Sequence, residues 1–307
     1  MNNILQRSAV PSTGFRRYWA SRAHASVIAR FSLKKKTATR CISGQDVSFD
    51  LGDYDQRFFF FDVLNEPENV ALVSLIGKVS SNPVYIDVGA NFGQFAAAVT
   101  DSFSQSHLVE PNPSAVLTLR TIFRQRPDVR IHNAAASDVA GNANLLVPTG
   151  HSGGATVTQR SRNPTNAPTV CVQRLDDLVK VKDDDSVFLK IDVEGHEAQV
   201  LSGATQLLKH QPIVGFETHC TTQFFSCASL LPTYEFFVFR TTFKPGRRGI
   251  SKLLSATTAL IRGPALSLQQ VDVVQGFASM VFAVPSKKLS IFHSACKRLI
   301  ATGVAFR

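Results

Sequence analysis

The sequence contains no run of about 18 apolar residues, so no membrane-spanning helix is expected. Cysteines are few: Cys41, Cys171, Cys220, Cys227 and Cys296, with no C-x-x-C pair among them. That scatter excludes a disulfide framework and a cysteine zinc site, and reads as reduced thiols in a cytosol-like compartment. Acidic residues are missing from Met1–Gln45, which hold nine Lys or Arg, including the run Lys34-Lys35-Lys36. The rest of the chain carries 24 basic against 23 acidic residues, so the formal charge of +10 belongs to the N-terminal segment. A near-neutral remainder argues against a wide phosphate-binding face, and no nucleic-acid partner is expected. The segment also lacks the compact apolar core of a secretory signal. Three readings of it stand: a solvated tail, an organelle transit peptide, or an arm that touches an anionic membrane surface. A cytoplasmic location is expected, with organelle targeting as the alternative.

What is present is an alternating α/β pattern. Pro67 to Lys78 reads as a helix, and Val84-Tyr85-Ile86-Asp87-Val88 as a buried strand running into a glycine turn. Phe92 to Phe103 reads as a helix, His107 to Val109 as a strand, Pro113 to Phe123 as a helix and Val129 to Asn133 as a strand. This series is half of a doubly wound, mostly parallel sheet. Gly141 to Arg174 breaks the rhythm and is expected to form a β-hairpin insertion with a mobile tip near Gly153-Gly154. The rhythm resumes with a strand at Val187 to Ile191, a helix at Glu197 to Leu208 and a strand at Ile213 to Phe216. Phe236 to Phe239 and Met280 to Ala283 are expected to pair antiparallel at the sheet edge. Three parts follow: a flexible basic arm at 1–50, the α/β domain at 51–285, and a basic tail at 286–307 that forms a surface helix.

Chemistry concentrates at strand ends. Asp87-Val88-Gly89-Ala90-Asn91-Phe92-Gly93 joins a strand to a helix. Its glycines are spaced G-x-x-x-G, so it is neither a dinucleotide fingerprint nor a P-loop. A carboxylate just before such a turn suits a ligand with an amino group and no pyrophosphate, as at the methionine end of S-adenosylmethionine; an ordinary glycine-rich connection is the plain alternative. Glu110 follows the turn by about 20 residues at the next strand end, where a carboxylate can accept hydrogen bonds from both ribose hydroxyls of an adenosine. Lys190-Ile191-Asp192-Val193-Glu194-Gly195-His196-Glu197 marks a further strand end opening on the same crevice. Glu194 and Glu197 can equally cap the helix that follows.

These stretches carry a resemblance. YIDVGANFGQFA, HLVEPNP, NAAASD and FLKIDVEGHEAQVLSGA followed by IVGFE are similar to the FkbM-type family of S-adenosylmethionine-dependent methyltransferases, in order over residues 64 to 285. The resemblance implies a class I methyltransferase fold with a seven-stranded sheet, S-adenosyl-L-methionine as cofactor, and O-methylation of a sugar or secondary metabolite. It places Asp87, Gly89, Asn91, Phe92 and Gly93 around the methionine and ribose. It sets Glu110 on the ribose with Asn112 beside it, Ala135 and Ala136 against the adenine, and Asp192 facing the methyl-transfer region.

A neutral hydroxyl is a poor nucleophile and needs a base or a metal. His196 is the first candidate base, because its ordinary pKa lies near neutrality; a solvent-facing helix start is the alternative. Asp192 and Glu194 complete the candidate catalytic set. No metal is expected; the alternative is a divalent cation on Asp192, Glu194 and Glu217, the last of which also suits a structural hydrogen bond. His219 and Cys220 show no recognisable ligand spacing. The rival readings are an RNA methyltransferase, a non-catalytic cofactor-binding scaffold, and a nicotinamide oxidoreductase. The last is disfavoured by the glycine spacing.

Overall fold

The computed structural model describes residues 37–62, 64, 66–158, 167–241 and 266–302. Most of the basic N-terminal segment, and the basic loop Lys244 to Lys252, lie outside them.

The chain begins its described course with a hairpin, β1 (Thr37–Ile42) and β2 (Gln45–Asp50), joined through Ser43 and Gly44. Both turn residues have positive φ, 51° and 76°, the twist that suits a two-residue hairpin. Val47 and Phe49 alternate inward and are buried in the main core. Thr37–Asp50, expected to belong to a flexible arm, are therefore an integral part of the domain. Helix α1 (Tyr54–Phe60) follows, capped by Asp53, whose side chain accepts from the N–H groups of Asp55 and Gln56. Helix α2 (Pro67–Val79) opens with proline in its first turn, where the missing N–H has no intrahelical partner to lose.

The central sheet has eight strands. In chain order they are β3 (Pro83–Val88), β4 (Gln105–Val109), β5 (Val129–His132), β10 (Ser186–Ile191), β11 (Ile213–Thr218), β12 (Tyr234–Thr241), β13 (Leu266–Val271) and β14 (Ala278–Pro285). Their spatial order is β13-β12-β14-β11-β10-β3-β4-β5. The five from β11 to β5 are parallel; β14, β12 and β13 are antiparallel at one edge. The seven strands expected become eight because β13, a half-polar edge strand, adds to β12. Strand β3 is buried almost throughout, as a strand covered on both faces must be. Its alternation splits the core: Tyr85 joins Phe188, Phe282 and Phe292 on one face, while Val84, Ile86 and Val88 join Leu189, Val200 and Phe216 on the other.

Helices α3 (Gln94–Val99), α4 (Pro113–Ile122), α5 (Leu175–Leu178), α6 (Glu197–Ser202) and α7 (Thr221–Ala228) connect these strands. The chain runs outward from β3 to β5 in one direction and from β10 to β11 in the other, so the crevice above β3 and β10 is the topological switch point. The insertion is larger than a hairpin. Strands β6 (Ala135–Ser137), β7 (Gly141–Leu146), β8 (Thr156–Thr158) and β9 (Thr169–Arg174) form a second sheet in the order β6-β9-β7-β8. Its expected mobile tip is tethered. Ser152 N–H donates to Asp53 Oδ2 at 2.8 Å, and Gly153 N–H to Asp55 Oδ2 at 2.7 Å.

The expected surface tail is helix α8 (Leu289–Thr302), which packs on α2. Phe292, Ala295, Cys296 and Leu299 recur at i, i+3, i+4 and i+7 and are buried. All five cysteines are unpaired thiols, three of them exposed. Among the described residues no helix is long and apolar enough to cross a membrane.

Candidate active site

The glycine turn is held in a conformation that side chains resist. Gly89, Asn91 and Gly93 have φ of 83°, 48° and 88°. A Cβ on Gly89 would lie 1.8 Å from the carbonyl oxygen of Asp192, so the β3 and β10 exits approach too closely for any other residue. Gly89 and Ala90 N–H donate back to Val109 O at the end of β4. Glu110 then closes the arrangement: Oε2 accepts from Asn91 N–H at 2.8 Å and Oε1 from Asn112 N–H at 2.7 Å. The turn and the carboxylate thus meet on one side of the molecule. Burial lifts the Glu110 carboxyl to about 7, against the pull of those two N–H donors. Each oxygen retains a lone pair for a further donor.

Two lobes open from this junction. The first is lined by Glu110, Ala134, Ala135, Ala136, Val157 and His196. It is a mostly apolar slot whose carboxylates are Glu110 and Asp192, the latter shared with the second lobe, and such a slot suits an adenosine. The second is the larger of the two and is acidic. Asp55, Glu66, Asp192, Glu194 and Glu217 line it, and Lys190 is the only Lys or Arg among its lining residues.

Lys190 is already committed. Its Nζ donates to Asp87 Oδ1 at 3.1 Å and to Asp192 Oδ2 at 3.2 Å, over the face of Phe95. Burial disfavours the ammonium, but Asp192, Asp87 and Glu66 outweigh it and hold its pKa above the ordinary lysine value. Burial, then Asp192, lifts Glu66 to about 8.

Several expected positions move. Asp87 is fully buried beneath the turn, bonded to Tyr85 Oη at 2.8 Å and to Lys190, and lines neither lobe. Its carboxylate holds Tyr85 Oη and Lys190 Nζ. Gly93 lines neither lobe either; a Cβ there would meet Leu119 Cδ2 at 2.6 Å, so its smallness serves helix packing. Asn112 adjoins Glu110 but spends its side chain capping α4, accepting from Ser114 N–H at 3.1 Å. Asn91 lines both lobes and Phe92 the acidic one.

His196 lies in the adenosine-side lobe, with Nε2 2.9 Å from Ser137 Oγ. Burial lowers its pKa, with Asp138 opposing. It lines the apolar slot, and the acidic lobe does not include it, so the geometry does not supply the expected base. Glu197 turns back to accept from Val193 and Gly195 N–H, the capping alternative.

His219, set aside in the sequence for want of ligand spacing, does meet carboxylates here. Its Nε2 lies 3.2 Å from Glu217 Oε2 and 3.4 Å from Glu194 Oε2. Burial, then Asp192 and Glu194, push the Glu217 carboxyl upward. Lys190 was legible in principle, as a lone lysine inside an apolar strand.

The model of the methyltransferase FkbM domain matches residues 87–244, just over half the chain. The chain belongs to the FkbM methyltransferase family. It is an S-adenosylmethionine-dependent methyltransferase with a class I, Rossmann-like fold. No curated protein sequence matches it. Among solved structures, precorrin-6y C5,15-methyltransferase from Geobacter metallireducens is 13% identical, with 72% of this chain and 90% of that one aligned and a TM-score of 0.38. An S-adenosylmethionine-dependent O-methyltransferase from Thermotoga maritima is 14% identical over 71% and 65% of the two chains, with a TM-score of 0.38. Fibrillarin from Aeropyrum pernix is 12% identical over 66% and 74%, with a TM-score of 0.35.

The residues of the FkbM-family chain fit the cofactor. Glu110 offers its remaining lone pairs at the mouth of an apolar slot, and the carboxylates of the second lobe suit an ammonium and a sulfonium.

Proposed function

We propose that this methyltransferase transfers the methyl group to a hydroxyl of an uncharged, polyhydroxylated acceptor, a saccharide or a secondary metabolite. One observation carries the reading: the lobe beside the glycine turn is lined by five carboxyl groups and one already paired lysine. Such a wall offers acceptors to hydroxyl donors and gives a phosphate no unpaired lysine or arginine among its described lining residues. A polyanion such as RNA would find no free cationic side chain of that kind there, which argues against the RNA reading.

Bound cofactor supplies an activated methyl on a sulfonium, so the chain's task is positioning and proton removal. Glu110 and Asn91 would orient the ribose, Ala135 and Ala136 flank the adenine, and Asp192 stands between the lobes. Asp192 and Glu194 would hold the acceptor hydroxyl, with Glu217 below. His196 supports the adenosine side. Labelled methyl transfer to a panel of neutral glycosides, sugar phosphates and tRNA tests this. Base-stable label in a neutral glycoside is the expected result. Label confined to RNA, or to a nitrogen, would overturn it.

A further inference from the structure

We propose that Glu194, Glu217 and His219 bind a first-row divalent cation of the Mn2+ to Zn2+ class at the rim of the acidic lobe. The proposal rests on the hydroxyl-acceptor reading and says how that hydroxyl is activated. The three residues come from two strand exits. Glu194 follows β10, while Glu217 and His219 stand at and beyond the end of β11. The pairing of β11 with β14 shifts register between Phe216 and Thr218, at Glu217. Phe216 and Thr218 are buried, and Glu217 faces the cleft.

One donor atom from each of the three residues falls within 4.8 Å of the others. Closeness of carboxylates alone would mean little. The second observation is that Glu217 Oε2 is buried and accepts no hydrogen bond, while its side chain is only 11% exposed. Its oxygen lies 3.2 Å from His219 Nε2 without hydrogen-bond geometry, and that same nitrogen lies 3.4 Å from Glu194 Oε2. Two carboxylates therefore converge on one imidazole nitrogen, and the lobe's lysine is taken up by Asp87 and Asp192. A buried carboxyl oxygen that accepts no hydrogen bond leaves a donor position that a cation would fill.

The donor set selects the ion. Calcium and magnesium favour all-oxygen cages, whereas an imidazole beside two carboxylates suits Mn2+, Fe2+, Co2+ or Zn2+. Three protein ligands leave positions open, and the acceptor hydroxyl would take one. Coordination lowers the hydroxyl pKa, and its proton leaves to bulk water. The alkoxide oxygen forms the new bond to the methyl carbon. The carbon–sulfur pair stays on sulfur, giving S-adenosylhomocysteine, so one proton is released per methyl transferred.

The test uses the full chain, stripped with chelator and dialysed. Mn2+ is titrated while the free-ion electron paramagnetic resonance signal is followed, and Zn2+ is titrated by calorimetry. Affinity for S-adenosylhomocysteine is measured separately on the same samples. One saturable Mn2+ or Zn2+ site per chain is expected. Glu217→Gln and the exposed His219→Gln should each weaken it by at least about tenfold, and His219→Gln, at a residue that does not line the acidic lobe, should leave cofactor-product affinity unchanged. Absence of saturable binding, or binding that ignores both substitutions, overturns the proposal. Methyl transfer to a hydroxyl that persists at full rate in chelator would also overturn it while leaving the acceptor reading intact.

Discussion

The two lobes of the cleft are built on opposite principles. The first lobe is mostly apolar, and its Glu110 accepts from two backbone N–H groups, Asn91 in the glycine turn and Asn112 just beyond β4. The acidic side gathers Asp55, Glu66, Asp192, Glu194 and Glu217 from separate elements and leaves Glu217 Oε2 unbonded. A site for a constant ligand can be completed by the protein's own backbone. A site for a reacting group holds unmet electrostatic demand until a substrate or ion arrives.

The junction of the lobes is the place to break this contrast. Gly89→Ala would drive a Cβ to 1.8 Å from Asp192 O, and neither backbone has room to retreat. A loss of more than about 3 kcal/mol is expected, read from denaturant melts, with cofactor binding lost as well. A melt within experimental error of wild type would show that the exits of β3 and β10 do not constrain each other.

The buried carboxyls of the two lobes, Glu66 in one and Glu110 in the other, should reveal themselves through pH. Glu66 is lifted to about 8 and Glu110 to about 7 from an ordinary 4.5. Between the ordinary and raised values the folded chain keeps protons that the unfolded chain releases. Their contribution is therefore full below the unfolded pKa and is lost as pH rises through the folded one. The cofactor-free chain should lose on the order of 2 kcal/mol between about pH 5 and about pH 8, and Glu66→Gln should flatten the decline. Thermal melts across that range provide the check; a stability that climbs with pH would reverse the assignment.

The smallest effect should come from the adenosine side. His196→Ala removes the contact with Ser137 Oγ and should cost about 1 kcal/mol, with turnover within about fivefold of wild type. Abolished turnover with unchanged cofactor affinity would restore His196 as the base.

The same contrast explains what was legible in the sequence. The adenosine side is written in consecutive residues, 87–93 and 110–112, where strand-end chemistry is local. Even there the sequence could not separate Asn91, which meets the cleft, from Asp87 and Gly93, which lie off it. That division depends on which face of a turn is covered. His219 showed no ligand spacing because its meeting with Glu194 depends on how the β10 and β11 exits lie against each other, a tertiary fact. The hairpin at Thr37–Asp50 was masked by the basic run before it, although the alternation of Val47 and Phe49 was there to read. In α8, the i, i+3, i+4, i+7 repeat was visible, but only the packing on α2 shows that it faces the core. Strand β13 is half polar, and its sequence LSLQQV carries no strong strand signal.

Calorimetric titration of S-adenosylhomocysteine into wild type and Glu110→Ala most directly tests whether the glycine turn and Glu110 together form the cofactor site. One molecule should bind per wild-type chain, and the substitution should weaken binding by roughly 100-fold, because it removes the acceptor that Asn91 N–H and Asn112 N–H share and that a ribose hydroxyl would use. Equal affinity in the two proteins would contradict the account.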